Sequence, residues 1–175
     1  MFSRRALLKA NFKAHLQPVR LPWGRDELEF VNGCSRCGNC IRSCQEKILV
    51  KGDGGFPEIN FSRGECTFCT ECVNSCTEDL FSSLNKSPWS LKAVITEACL
   101  SYKDVICVIC KEQCETEAIT FIPKVGSVSQ PVFDAEKCTG CGACSKPCPS
   151  QAIKFSYQYN RTEQYQSDQL KENAS

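Results

Sequence analysis

The sequence contains few of the residues on which several common kinds of functional site depend. Among its 175 residues there is a single histidine, His15, and a single methionine. The scarcity of histidine argues against zinc sites that combine cysteine with histidine and against a Rieske centre, and no C-x-x-C-H motif is present for covalent haem. The chain also lacks a phosphate-binding loop, a nucleotide fingerprint and a nucleophile beside a base. These absences predict a protein that is not an enzyme.

Long apolar runs and N-terminal acidic residues are also missing. No stretch approaches 18 consecutive apolar residues, so the sequence predicts no transmembrane helix. Residues 1–25 contain no Asp or Glu, although the whole chain has a formal charge of only +1. We interpret residues 1–25 as a basic N-terminal arm, either an amphipathic helix over 3–17 that Pro18 ends or a solvated, frayed segment. Its basic residues are Arg4, Arg5, Lys9, Lys13, Arg20 and Arg25.

The start of this arm, Ser3-Arg4-Arg5-Ala6-Leu7-Leu8-Lys9, is similar to the twin-arginine export motif. Export would require an apolar segment next, followed by a small-residue cleavage site. Instead Lys13 interrupts the segment and Pro18 ends it. We therefore interpret the motif as a non-exported remnant or a partner-binding element, and we expect the protein to be cytoplasmic.

Cysteine, in contrast, is abundant, with 16 residues. In Cys138-Thr-Gly-Cys141-Gly-Ala-Cys144-Ser-Lys-Pro-Cys148-Pro149 the spacing is x2, x2, x3, and the runs at 34–44 and 66–76 share it. A disulfide framework would require a secretory signal, and zinc favours separated C-x2-C pairs. The spacing is that of bacterial 4Fe-4S ligand runs. The predicted iron ligands of these three runs are Cys34, Cys37, Cys40, Cys44, Cys66, Cys69, Cys72, Cys76, Cys138, Cys141, Cys144 and Cys148.

One further run departs from the pattern. Cys107, Cys110 and Cys114 keep the x2 and x3 spacings, but Asp104 stands where the first cysteine should be, and Cys99 precedes Cys107 by an x7 gap. A longer loop could bring Cys99 to the same cluster and give a fourth 4Fe-4S site. Alternatively, this cluster is labile or incomplete, and Cys99 is a buried thiol on an apolar helix face.

Runs of this type indicate clusters in pairs, because the cysteine after x3 reaches the neighbouring cluster in two-cluster ferredoxins. Crossed ligands of this kind would join Cys76 to the Cys34, Cys37, Cys40 set and Cys44 to the Cys66, Cys69, Cys72 set. They would likewise join Cys148 to the Cys99, Cys107, Cys110 set and Cys114 to the Cys138, Cys141, Cys144 set.

The chain also repeats on a larger scale, since Cys66 and Cys138, like Cys76 and Cys148, are 72 residues apart in the numbering. We predict an α+β fold of tandem two-cluster (bacterial) ferredoxin-like units, with small β-hairpins and short helices around iron–sulfur clusters. The units are predicted at 26–86 and 95–158, with Ser87-Pro88-Trp89 at the joint. Short apolar segments after each fourth cysteine should begin strands. The turn residues Gly52-Asp-Gly-Gly55 and Gly126-Ser-Val-Ser should each link two short strands. Residues 159–175 are predicted to be a disordered tail.

The order of the four runs, with the irregular one third, the Ser3-Arg4-Arg5-x-Leu-Leu motif and Pro22-Trp23 before Asp26-Glu27 resemble the NapF family of ferredoxin-type proteins. The resemblance covers residues 3–158. It implies a soluble cytoplasmic accessory protein that binds the catalytic subunit of the periplasmic nitrate reductase before export and assists its maturation. A different class of function, an electron-transfer subunit that relays single electrons to a reductase complex, stays open.

Overall fold

A computed structural model describes residues 18–158 of the chain. The predicted helix over 3–17, the twin-arginine motif and the predicted tail at 159–175 lie outside these described residues. Within 18–158, no helix is both long and apolar enough to cross a membrane.

Short helices and strands alternate along the described chain, and this mixed content fits the predicted small ferredoxin-like α+β fold. The first half contains α1 (Glu27–Gly33), α2 (Asn39–Ser43), β1 (Leu49–Lys51), a 3-10 turn (Asp53–Gly55), β2 (Pro57–Ile59) and α3 (Glu71–Asn74). The second half contains β3 (Leu91–Ile95), a 3-10 turn (Leu100–Lys103), α4 (Ile109–Glu112), β4 (Ile119–Lys124), β5 (Ser127–Phe133) and β6 (Ile153–Tyr157).

The six strands of residues 18–158 form three antiparallel pairs. Strands β1 and β2 form one hairpin and β4 and β5 form another, and each is closed by a turn containing the glycines predicted for it. Strand β3 pairs with β6 from Leu91 opposite Tyr157 to Ile95 opposite Ile153, so the start and the end of the second half lie side by side. The first half has only one bridge at the equivalent place, between Gly24 and Phe81.

Three of the four apolar segments that follow the runs become strands as predicted. The segments after Cys44, Cys114 and Cys148 lead into β1, β4 and β6. The segment after Cys76 does not form a strand. Its β-pairing consists of the isolated bridge between Phe81 and Gly24. Two backbone hydrogen bonds flank that bridge, from Arg25 N–H to the Leu80 carbonyl and from Ser82 N–H to the Trp23 carbonyl.

Residues 18–25, the end of the predicted basic arm, pack into the first half. Leu21 and Trp23 are 3% and 7% exposed. The Arg20 guanidinium donates to both carboxylate oxygens of Glu27, at 2.7 and 2.6 Å, and so ties this segment to α1. Helix α1 begins after Asp26, whose side chain accepts a hydrogen bond from the Glu29 N–H at 3.0 Å and caps the helix.

Two hydrophobic clusters make up the core, one in each half, and thiols pack against both. Phe155 on β6 contacts both clusters. Leu91 lies in the second half by sequence but belongs to the first cluster, so the two halves share apolar packing. The buried residues of the first cluster are Leu21, Phe30, Ile48, Leu49, Ile59, Phe61, Leu80 and Leu91, and those of the second are Ala93, Cys110, Ile119, Cys144 and Ile153.

Candidate iron–sulfur sites

All sixteen cysteines are free thiols, and the structure brings twelve of them together around three cavities. Site I is formed by Cys34, Cys37, Cys40 and Cys76, which line a cavity of ≈ 270 Å³. Site II is formed by Cys44, Cys66, Cys69 and Cys72 around ≈ 30 Å³, and site III by Cys99, Cys107, Cys110 and Cys148 around ≈ 20 Å³.

The remaining four thiols form a fourth group, site IV, made of Cys114, Cys138, Cys141 and Cys144. Burial does most to raise the pKa of the Cys144 thiol, and the charges of the nearby Cys141, Cys138, Cys110 and Cys114 raise it further. Each of the four sites therefore takes three cysteines from one part of the chain and one from another run. This is the grouping expected for crossed ligands in a two-cluster ferredoxin.

In the regular runs the loop that carries the cysteines has a repeated backbone conformation. The second residue after the first cysteine and the residue after the second cysteine both have positive φ. These left-handed residues turn the chain tightly, so that three thiols of one loop can face one site. The residues are Arg36 (57°), Gly38 (76°), Phe68 (54°), Thr70 (64°), Gly140 (75°) and Gly142 (89°).

The irregular run cannot adopt this loop. Ile106 and Val108 occupy the two equivalent positions, and a left-handed conformation is strongly disfavoured for β-branched residues. Val108 instead has φ −129°. Cys99 is 8% exposed, precedes the 3-10 turn at Leu100–Lys103 and lines site III beside Cys107. It therefore does not lie on an apolar helix face, which was the alternative left open by the sequence.

Backbone N–H groups point at several sulfur atoms. Ala118 N–H lies 3.3 Å from Cys114 Sγ, and Ala152 N–H lies 3.3 Å from Cys148 Sγ. Hydrogen bonds of this kind stabilise a thiolate relative to a thiol. These two donors were not predicted, although the sequence contains a signal for them: both alanines stand four residues after the fourth cysteine, at the start of an Ala-Ile-x-Phe segment.

Burial controls the protonation of most of the perturbed thiols. Desolvation raises the pKa of Cys40, Cys66 and Cys110 to about 11. It raises the pKa of Cys72 and Cys144 to about 12. The metal-free thiols are therefore protonated at neutral pH, and iron must displace their protons on binding. At exposed Cys37 the pKa is lowered, mainly by the Asn39 N–H and the Ser35 hydroxyl.

The donor set fits 4Fe-4S clusters. Sulfur ligands suit iron–sulfur clusters, and a cubane takes four thiolates, one for each iron. Within residues 18–158, no three or more His, Cys, Asp or Glu side chains are arranged to hold a single metal ion. In a cubane each thiolate binds a different iron, so its ligands stand farther apart than those of one ion.

Comparison with known families gives the same class. Residues 33–81 match the family described as "4Fe-4S dicluster domain", and residues 131–154 match "4Fe-4S binding domain". The three regular runs lie inside these matches, and the irregular run lies between them. The chain is therefore a ferredoxin-type iron–sulfur protein that binds 4Fe-4S clusters.

Full-length relatives narrow the class to one family. The chain is 41% identical over 155 residues to "Ferredoxin-type protein NapF" of Escherichia coli K12, covering 89% of this chain and 94% of the relative. It is 42% identical to the NapF protein of Haemophilus influenzae, covering 87% of this chain and 86% of the relative. It is also 30% identical to "Methylamine utilization ferredoxin-type protein MauM" of Methylobacillus flagellatus, covering 82% of this chain and 69% of the relative. The chain belongs to the NapF family of ferredoxin-type proteins.

Proposed function

We propose that this protein is a cytoplasmic 4Fe-4S accessory protein that binds the catalytic subunit of the periplasmic nitrate reductase and assists its maturation before export. The similarity to NapF proteins along almost the whole chain carries this proposal. The four groups of thiols supply the clusters, and the role of the protein is to bind and to serve a client rather than to catalyse a reaction of its own.

The N-terminal segment supports a docking role. Four basic residues, Arg4, Arg5, Lys9 and Lys13, precede a segment that the Arg20–Glu27 ion pair holds against the body. A basic segment on a fixed attachment can meet an acidic client surface by electrostatic attraction.

The metal content tests the cluster assignment. Anaerobically purified protein should contain about 16 iron and about 16 acid-labile sulfide per chain, or about 12 of each if site III is incomplete. Zinc in near-stoichiometric amount relative to the protein, without labile sulfide, would contradict the assignment of iron–sulfur clusters on which the proposal depends.

The deciding functional experiment uses a strain that lacks this protein. If the protein assists maturation, the exported reductase should show lower activity per molecule with an artificial electron donor, because the enzyme itself is incompletely assembled. Undiminished artificial-donor activity, together with reduced physiological electron flow, would favour the electron-transfer subunit instead. The direct contact between the Cys66 and Cys141 loops is the structural feature that favours this second function.

The arm can be tested separately in a pull-down with the immature cytoplasmic form of the catalytic subunit. Replacing Arg4 and Arg5 by glutamine should weaken binding and make the remaining binding less sensitive to salt. Lys103→Gln with Lys124→Gln is the matched control, because it removes the same charge from the second half. Equal loss in both variants would show that net charge, not the arm, drives binding.

A further inference from the structure

The two halves touch through their cluster-binding loops. The Cys66 N–H donates a hydrogen bond to the Cys141 carbonyl with an N–O distance of 2.7 Å. Cys66 belongs to site II and Cys141 to site IV, and Cys141 also contributes to raising the pKa of the Cys66 thiol. The contact therefore joins the backbone of a ligand of one half directly to that of a ligand of the other.

Close packing holds this contact in place. A Cβ atom on Gly142 would lie 2.0 Å from the Phe61 ring, so no side chain fits between the site IV loop and the first half. A Cβ atom on Gly140 would lie 2.4 Å from the Leu91 carbonyl oxygen. On the same face, the Trp89 indole N–H donates to the Thr139 carbonyl at 2.8 Å.

Aromatic rings surround the contact on the side of the first half. The Phe68 ring lies 5.7 Å from the Trp89 ring, and the Trp89 ring lies 6.3 Å from the Phe61 ring. Phe61 in turn lies 4.4 Å from Phe155 of the second half. The two pairs that include Trp89 are edge-to-face and the Phe61–Phe155 pair is tilted, and rings at these separations pack favourably beside the two loops.

The same contacts give the order of the sites in space. Sites I and II adjoin, because the hydroxyl of Ser43, beside Cys44 of site II, lies 3.0 Å from the hydroxyl of Ser75, beside Cys76 of site I. Sites III and IV adjoin, because Cys110 of site III and Cys144 of site IV pack in the same buried cluster. With Cys66 against Cys141, the sites follow one another as I, II, IV, III. Sites I and III are thus the outer sites of the row.

We propose that the Cys66–Cys141 hydrogen bond is the junction through which one electron passes between the two halves, so that the four sites act as one row rather than as two separate pairs. This inference rests on the clusters of the proposed function. Clusters held by the thiolates of sites II and IV would supply the redox chemistry: the cluster at site II would give up one electron and the cluster at site IV would take it up, with no proton moved. The first electron comes from an external one-electron reductant, which is dithionite in the test below.

The test compares two glycines that have the same backbone strain but different surroundings. Gly142 has φ +89° and meets Phe61, whereas Gly126 has φ +72° with no atom within 4 Å of an added Cβ. Gly142→Ala should push the two loops apart, and Gly126→Ala should not. The holoproteins are first matched for iron and labile sulfide, then reduced with dithionite and compared by electron paramagnetic resonance.

In wild type and Gly126→Ala, we expect spectra broadened by spin–spin interaction both within and between the halves. The spectrum of Gly142→Ala should lose the broadening that arises between the halves, and its spin relaxation should be slower. A wild-type spectrum from Gly142→Ala at full iron content would overturn the junction. Absence of iron from the wild-type protein would instead overturn the proposed function, so the two failures are distinguishable.

A second variant decides the matter if Gly142→Ala binds less iron than its control. Trp89→Phe removes the hydrogen bond to the Thr139 carbonyl but keeps an aromatic ring beside Phe61 and Phe68. The spin–spin interaction in Trp89→Phe should be weaker than in the wild type and stronger than in a protein whose halves are fully separated. An unchanged spectrum from this variant would also overturn the junction.

Discussion

Sites I and III each gather four thiols, but the chain builds them differently. At site I a regular loop leaves Cys37 exposed beside a cavity of ≈ 270 Å³. At site III, Cys99 and Cys110 are buried and the cavity is ≈ 20 Å³. Because site II, which a regular run builds, also has a small cavity of ≈ 30 Å³, the difference that follows the irregular run is the burial of its thiols. An insertion which displaces one ligand along the chain can keep the number of thiols and bury two of them.

The insertion encloses site III through its own hydrogen bonds. Ser101 is completely buried, and its hydroxyl donates to the Cys107 carbonyl at 2.9 Å. Asp104, which stands where a regular run has its first cysteine, accepts a hydrogen bond from the Ser127 hydroxyl at 2.5 Å. The segment between Cys99 and Cys107 is therefore held at both the site and the β4–β5 hairpin.

The largest expected effect comes from removing Cys99. Cys99→Ala should lower the iron content by about four atoms per chain, because site III would lose a ligand to its cluster. Iron and labile sulfide analysis measures this loss, and Ser101→Ala, which keeps all the thiols, is the control. An unchanged iron content in Cys99→Ala would show that Cys99 is a buried thiol and not a cluster ligand.

Restoring the regular spacing should not by itself restore site III. Cys99→Ala with Asp104→Cys gives an x2, x2, x3 run, but Ile106 and Val108 still resist the left-handed conformations that such a loop uses. Iron content should stay about four atoms below wild type. Adding Val108→Gly should recover part of the iron. Full recovery without the glycine would show that spacing alone builds the loop.

The difference in enclosure predicts the order in which the outer sites lose iron. During mild oxidation in the presence of a chelator, site I should be lost several-fold faster than site III, because solvent reaches Cys37 directly. Alkylation of newly freed thiols followed by peptide mass spectrometry measures the order. If Cys107 and Cys110 are alkylated before Cys37 and Cys40, the irregular loop is the labile one after all.

The smallest effect concerns the hydroxyl of Ser101. Ser101→Ala removes the buried hydroxyl and leaves the partly buried Cys107 carbonyl without this donor, which should lower the free energy of unfolding by about 1–3 kcal/mol. Urea unfolding of the anaerobic holoprotein measures the change. Ser62→Ala, at an exposed hydroxyl that donates to Asn60, should change it by no more than about 0.5 kcal/mol. A similar small change in both variants would mean that water replaces the Ser101 hydroxyl.

Local patterns in the sequence predicted a good part of this architecture. The turn residues at Gly52-Asp-Gly-Gly55 predicted the β1–β2 hairpin, and the glycine-containing turn at Gly126 predicted the β4–β5 hairpin. Both succeed because a turn and its two flanking strands involve only neighbouring residues.

Features that depend on distant residues could not be predicted in the same way. The burial of Leu21 and Trp23 is one example, because the basic composition of residues 1–25 gives no sign that their end packs into the core. Another is the segment after Cys76, which forms a bridge to the distant Gly24 rather than a strand. The position of Cys99 is a third, since the x7 gap alone allows either interpretation.

What the sequence determined by itself is the local chemistry: which thiols are two and three residues apart, and hence the kind of cluster that their loops suit. The ligand pattern of two-cluster ferredoxins also predicted which thiol completes which group. Only the tertiary structure decided how deeply site III is enclosed and where the two halves meet. The physical reason is distance along the chain. Cys66 and Cys141 meet next to the packed rings of Phe61, Trp89 and Phe155, and nothing in the spacing of either run specifies that packing.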